Sequence, residues 1–160
     1  DSFAERETFA EAVITQQEDI VNAGAADPAD LTGSASYEGG WAMTINPGGN
    51  TQGEDTEIVG GSVALQADFD NGTLTGSMMQ EILSSADGTL SIENGQITGA
   101  DLDGKLRGDI NDPDGSGSFQ VDTDVDGFFS DNGAQGTITG TATGRGQTLG
   151  AEGAFGAEQQ

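Results

Sequence analysis

Acidic side chains in two short stretches are the residues of this sequence best suited to chemistry. Asp122, Asp124 and Asp126 alternate along the chain and precede Gly127, as ligands 1, 3 and 5 and the turn glycine do in a calcium loop. The match fails at the twelfth position, where Gly133 replaces the bidentate Glu. The same alternation also fits a strand with its Asp residues facing outward. Same-face residues on a strand lie about 6.6–6.8 Å apart, too far for one ion to bridge three, so we favour the strand.

The second acidic stretch precedes and includes a sequence typical of a turn. Asp109, Asn111, Asp112 and Asp114 offer oxygen ligands, and Pro113 and Gly115 suit a turn. We therefore keep both stretches as candidates for a weak calcium site on the surface. We expect no other cofactor.

Catalysis has little support in this composition. The chain contains neither His nor Cys, which removes the commonest bases and nucleophiles, and Lys105 is its only amine side chain. No pair among the 28 carboxylates stands out by spacing. The candidates for haem ligation, Tyr37 and the three Met residues, are better explained as core residues. We expect a protein that is not an enzyme.

The net charge of −24 restricts the partners of the chain. Four basic residues face 28 acidic ones, so nucleic acid and anionic membrane surfaces are poor partners. No apolar run approaches the ~20 residues of a transmembrane helix, so we expect no membrane span. A start at Asp1 fits a processed, exported chain, which predicts a secreted or cell-surface location.

Apolar and polar residues alternate through most of residues 31–157, as in half-buried strands. Three similar sequence segments begin at Asn71-Gly72, Asn94-Gly95 and Asn132-Gly133. Asn-Gly is the preferred residue pair of a type I′ hairpin turn. About eight strands joined in sequence predict a mainly β fold, an eight-stranded antiparallel up-and-down barrel with a polar, solvent-exposed outer wall. A two-sheet sandwich is the alternative.

Residues 2–22 differ from the rest and predict one amphipathic helix. Ser2 and Glu5 have the spacing of a capping box, and Phe9, Val13 and Ile20 form an apolar stripe. That stripe caps the barrel, lies along its wall, or contacts another molecule, including a second copy of the chain. We divide the chain into helix and linker (1–30), barrel (31–157) and tail (158–160).

The alternation also predicts the residues that fill the barrel. We expect the core to contain Trp41, Met43, Leu65, Phe69, Leu74, Ile97, Phe119, Val121, Ile138 and Phe155.

The last third of the chain resembles the barrel domains of transferrin-binding protein B. The resemblance rests on Gly127-Phe128-Phe129, on residues 134–140 and 153–157, on the opening residues 31–39 and on residues 63–76. It covers about residues 31–157 and implies an eight-stranded barrel, export from a bacterium and no catalysis. The sequence departs from the family where Phe129 to Gln135 replace a Tyr-Gly-Pro segment, and where Glu158 replaces a closing Lys or Arg. A companion handle domain is also absent from this stretch, so the resemblance does not imply transferrin binding itself.

Together these patterns predict a non-enzymatic extracellular or cell-surface module. It would bind a protein partner or a small ligand through its loops or a barrel end. The alternative is a structural subunit of an extracellular, filament or virion assembly, with the N-terminal helix as the contact.

Overall fold

The computed structural model describes residues 3–46, 56–80, 88–112 and 117–160. Helix α1 is followed by a short 3-10 turn at Pro28–Asp30 and then by eight strands. The bounds are α1 Phe3–Ala23, β1 Ser34–Ile45, β2 Glu57–Asp68, β3 Thr73–Gln80, β4 Thr89–Thr98, β5 Asp101–Asn111, β6 Ser118–Phe129, β7 Gly133–Gly144 and β8 Gln147–Gln159.

Each strand pairs antiparallel with the next in sequence, and β1 also pairs with β8, which closes the barrel. The closing register sets Tyr37 opposite Gln159 and Ile45 opposite Ala151. The prediction of an eight-stranded antiparallel up-and-down barrel with one N-terminal helix is therefore confirmed, and the sandwich is excluded. Because β8 continues to Gln159, most of the expected tail belongs to the closing strand.

Two of the three Asn-Gly pairs lie at hairpin turns, as predicted, but the predicted type I′ conformation is wrong there, because neither Asn71 nor Asn132 has a positive φ. The β2–β3 turn spans residues 69–72, where Gly72 has a φ of +70°. There the Asp68 carboxylate accepts hydrogen bonds from the backbone N–H and the side-chain amide of Asn71, which lower the pKa of Asp68. Asn132 lies in the β6–β7 turn, and Gly133 begins β7.

The prediction of a turn at Asn94-Gly95 is wrong. Both residues lie inside β4, where the register with β5 shifts between Glu93 and Gln96. Asn94 has a φ of +55°, so the left-handed preference of Asn serves a β-bulge instead of a turn. The two-residue turn with positive φ at both positions is Arg145-Gly146, between β7 and β8.

Apolar side chains fill the barrel interior along the described strands. Eight of the ten predicted core residues are buried, while Phe69 and Ile97 are half-buried against the core. On β6 the burial alternates residue by residue, with Val121, Thr123 and Val125 inside and the Asp residues outside. The expected polar outer wall is present there.

Helix α1 lies along the outer wall of its own barrel, across β2, β1, β8 and β7. The wall beneath it is made of small residues. A Cβ atom at Gly40 would lie 3.2 Å from Val13 Cγ2, and one at Gly133 would lie 3.3 Å from Ile20 Cδ1. Gln17 Nε2 adds polar contacts, donating to Gln135 Oε1 and to the Gly136 carbonyl, both at 3.1 Å. Within the described residues, no helix combines the length and the apolar character needed to cross a bilayer.

Candidate binding surfaces

The up-and-down connectivity gives the barrel two different ends. We call the end with connections 46–56, 81–88, 112–117 and 145–146 the loop end. The linker end has the connections 69–72, 99–100 and 130–132, and the segment between α1 and β1 reaches it. These two ends and the outer wall are the surfaces on which a partner can bind.

A buried ionic cluster joins distant parts of the chain at the loop end. We call Arg6, Glu57, Asp112 and Arg145 the mouth cluster. Arg145 donates to both Asp112 oxygens at 2.7 Å and to Glu57 Oε2 at 2.7 Å, while Arg6 Nη2 donates to Glu57 Oε1 at 3.4 Å. The Asp112 and Glu57 side chains are only 1 % and 4 % exposed. The cluster therefore ties α1, β2, the end of β5 and the β7–β8 turn together.

The hydrogen bond to Asp112 is the main reason that the pKa of Arg145 lies above its usual value. The guanidinium carbon also sits 5.3 Å from the centre of the buried Phe119 ring, a cation–π arrangement. Arg145 holds this position from a backbone φ of +53°, which is uncommon for a residue with a long side chain. The contacts of its side chain offset that backbone cost.

Sequence reasoning missed the mouth cluster. Its pairs are separated by 33, 51 and 88 residues, so no local spacing joins them. One signal was available: Arg145-Gly146 lies between two alternating runs, which is the position of a hairpin turn.

The calcium candidates on β6 face outward, as the strand interpretation predicted. Asp122, Asp124 and Asp126 are exposed on one face of the strand. Arg107 donates to Asp122 at 3.0 Å, and this hydrogen bond is the main reason that the pKa of Arg107 is raised. Lys105 pairs with Asp124. Basic residues of β5 thus occupy two of the three candidates.

The second acidic stretch does not come together as one site. Asp109 and Asn111 are exposed near the end of β5, whereas the buried Asp112 carboxylate is occupied by Arg145. Asp114 lies outside the described residues. Across the described ranges, no three acidic side chains are grouped closely enough to hold a metal ion. Calcium binding at these positions stays a prediction.

Aromatic side chains and the α1–β1 linker close the other end of the barrel. Phe129 packs against Tyr37 and Phe69, with ring centres 5.3 and 5.0 Å apart. The linker is fastened there, since the Ala26 N–H donates to the Phe129 carbonyl at 2.8 Å. Burial raises the pKa of the Tyr37 hydroxyl.

A groove runs between α1 and the barrel wall. We call it the helix groove; its volume is about 370 Å³, and it is lined by Phe9, Ala12, Val13, Gln16, Gly39, Gly40, Gly61 and Ser62. Ser62 pairs with Met79 of β3, whose side chain is 45 % exposed. The helix groove is therefore an apolar, accessible feature on a largely polar wall.

The closed barrel, its filled interior and its external helix define a class of protein, the small antiparallel barrel domain with an apolar core. Residues 30–159 match the family model of the C-lobe and N-lobe beta barrels of Tf-binding protein B. The chain belongs to this family, which confirms the resemblance seen in the sequence. A comparison with curated proteins gave no significant match.

Solved structures support the same fold. A point mutant of transferrin-binding protein B from Haemophilus parasuis Hp5, described as a vaccine antigen, matches 85% of this chain with a TM-score of 0.59 and 15% identity. The isotype 1 protein from serogroup B Neisseria meningitidis matches with a TM-score of 0.58 and 18% identity, also over 85% of this chain. In both cases the match covers 28% of the larger protein. At these identities the likeness shows the fold alone.

Proposed function

We propose that this chain is a non-enzymatic binding module of a secreted or cell-surface protein, and that it binds a protein partner on its outer surface. The observation that carries the proposal is the filled interior of a barrel that belongs to a binding-protein family. Trp41, Phe119 and Phe155 each have 0% exposure and occupy the space in which a wider barrel holds a ligand. Binding at the outer wall or the ends is the arrangement that this core supports.

The charge distribution describes the partner. The two Arg residues of the mouth cluster are buried or nearly so, and Lys105 and Arg107 lie beside carboxylates of neighbouring strands. The accessible charge is therefore predominantly negative, which favours a partner with a basic contact surface. The absence of His and Cys from the sequence supports a role in binding over catalysis.

Binding to purified extracellular proteins tests this function. The chain is immobilised at one terminus and titrated with iron-loaded transferrin, iron-free transferrin and a set of basic and acidic serum proteins at 0.15 M salt. Transferrin comes first because the family takes its name from transferrin binding. We expect saturable binding to a protein of this set. Failure of every titration, together with a small molecule retained by the chain in native mass spectrometry, would replace the protein partner with a small ligand.

A role as an assembly subunit has one observation in its favour. Ile14 and Val21 are each 45% exposed on α1, seven residues apart and thus on one side of the helix. The buried stripe of Val13 and Ile20 is already used by the barrel, so a contact between copies would use these two residues. Light scattering of the wild-type chain and of an Ile14→Ser/Val21→Ser variant decides the point. An assembly subunit would give a multiple of the monomer mass that the variant loses.

A further inference from the structure

An uncompensated pair of acidic residues lies on the outer wall next to the helix groove. Glu38 of β1 and Glu158 of β8 are direct register partners, and both are exposed. Like charges directly opposite each other in an antiparallel pair are destabilising. Among the described ion pairs, none joins a basic side chain to either residue.

A third carboxylate approaches this pair from the helix. Asp19 and Glu158 line one cavity of about 600 Å³ on the linker-end side of α1. We call Asp19, Glu38 and Glu158 the acidic corner. It is a region of negative potential that the chain does not neutralise with its own described side chains.

The acidic corner continues directly from the helix groove. Glu38 and Gly40 are two residues apart on the outward face of β1, which separates them by about 6.6–6.8 Å along the strand. Gly40 forms part of the groove floor under Val13, and Phe9 and Ala12 form its helical side. The helix groove and the acidic corner are thus close enough for two neighbouring side chains of one peptide to contact both.

We propose that the helix groove and the acidic corner form one docking site for a segment of a partner protein that carries a large apolar side chain next to Lys or Arg. The apolar side chain fills the groove beside Phe9 and Val13, and the cationic side chain lies between Glu38 and Glu158. This placement relieves the repulsion between the two Glu residues and covers exposed apolar surface. A second copy of this chain is a poor occupant because it would bring further carboxylates to the corner. The inference rests on the proposed function and names the site and the partner chemistry.

The probe for this site is the amidated peptide Lys-Lys-Trp-Lys-Lys, titrated against the whole chain at 0.15 M salt by NMR. Lys-Lys-Ala-Lys-Lys and Glu-Glu-Trp-Glu-Glu are the control peptides. We expect saturable binding of the first peptide and at least about tenfold weaker binding of each control. Equal binding of both Lys-rich peptides would mean nonspecific attraction to an acidic protein and would overturn the proposal. Equal binding of both Trp-containing peptides would also overturn it, because the corner would then contribute nothing.

Variants of the chain locate the site. Ala12→Phe and Ser62→Phe each place a ring in the groove, and Glu38→Gln/Glu158→Gln neutralises the corner. The matched controls are exposed residues that line neither the helix groove nor the cavity of the acidic corner: Thr141→Phe and Asp101→Asn/Asp103→Asn. We expect about tenfold weaker peptide binding in the groove and corner variants and less than about twofold change in the controls. Two groove variants are used so that a folding defect in one, detected by circular dichroism, leaves the other as the test.

This outcome is separable from that of the proposed function. If a protein partner binds and the groove and corner variants bind it like the wild type, this inference fails while the binding function stands. If the peptide binds as expected and no protein does, the function fails while the site stands.

Discussion

The guanidinium of Arg145 donates to both carboxylate oxygens of Asp112, each at 2.7 Å, across 33 residues of sequence. The same guanidinium reaches Glu57 at the start of β2. Asp112 begins the connection 112–117, and Glu57 directly follows the connection 46–56. One side chain therefore holds together the strand ends at which two different connections of the loop end meet the barrel. Arg145 therefore links two described strand ends of the loop end to the β7–β8 turn.

Substitution of Arg145 by Ala should lower the free energy of unfolding by about 3–5 kcal/mol, because two buried carboxylates lose their shared partner. Urea denaturation followed by the fluorescence of Trp41, the only Trp of the chain, measures the loss. Arg107→Ala is the matched control: its ion pairs are exposed, and we expect a loss of about 0–1 kcal/mol. Equal losses in the two variants would show that the mouth cluster is not a stabilising feature.

The fully buried ring of Phe155 tests the closing strand. Phe155→Ala should cost about 3–5 kcal/mol of unfolding free energy, because it leaves a cavity where β8 meets β1. Met79→Ala removes a large apolar side chain that is 45% exposed and should stay within about 0.5 kcal/mol of the wild type. A Phe155→Ala loss as small as that of Met79→Ala would mean that β8 does not close the barrel.

The core and the fold were predictable from the sequence because alternation reports directly which face of a strand is buried. Trp41 and Val121 illustrate this, as their neighbours on either side face away from the interior. The turn chemistry was predictable only in part. Asn-Gly tolerates positive φ, yet that property serves a turn at residues 69–72 and a bulge at Asn94, and the sequence alone does not separate the two.

The long-range contacts were not predictable from local pattern. Asp112 was a candidate cation ligand because its neighbours are acidic, but the fold brings a guanidinium to it from the β7–β8 turn. The acidic corner was not predictable from the sequence for the same reason. Glu38 and Glu158 meet only because β1 and β8 close the barrel, and that register is a property of the whole sheet.

Stability should decrease at alkaline pH through Tyr37, the only Tyr of the chain. Burial raises its pKa in the folded state, so above pH ~10 the folded chain retains a proton that the unfolded chain releases. Below pH ~10 the tyrosine is protonated in both states, and the folded chain keeps its full stability. As the pH rises from there towards the higher pKa of Tyr37 in the folded state, the free energy of unfolding decreases. Urea midpoints measured from pH 8 to 11 should fall more steeply for the wild type than for Tyr37→Phe. Parallel curves would contradict the assignment.

Salt should stabilise the fold by screening repulsion among its many carboxylates. The screening length falls from about 10 Å at 0.1 M to about 3 Å at 1 M, so the melting temperature should rise from very low salt to 1 M NaCl. Calcium should add little beyond magnesium at matched ionic strength. A saturable rise of many degrees with millimolar calcium alone, lost in Asp122→Asn/Asp124→Asn, would instead establish a specific site on β6.

Binding on the outside of a filled barrel is the central claim, and methyl NMR of the chain titrated with Lys-Lys-Trp-Lys-Lys amide tests it most directly. We expect the methyl signals of Val13 and Met79, beside the helix groove, to shift in a saturable manner. The signals of Leu106 and Ile138, both with 0% exposure inside the barrel, should stay in place. Saturable shifts at Leu106 and Ile138, with none at Val13 and Met79, would place the ligand inside the barrel and contradict the account.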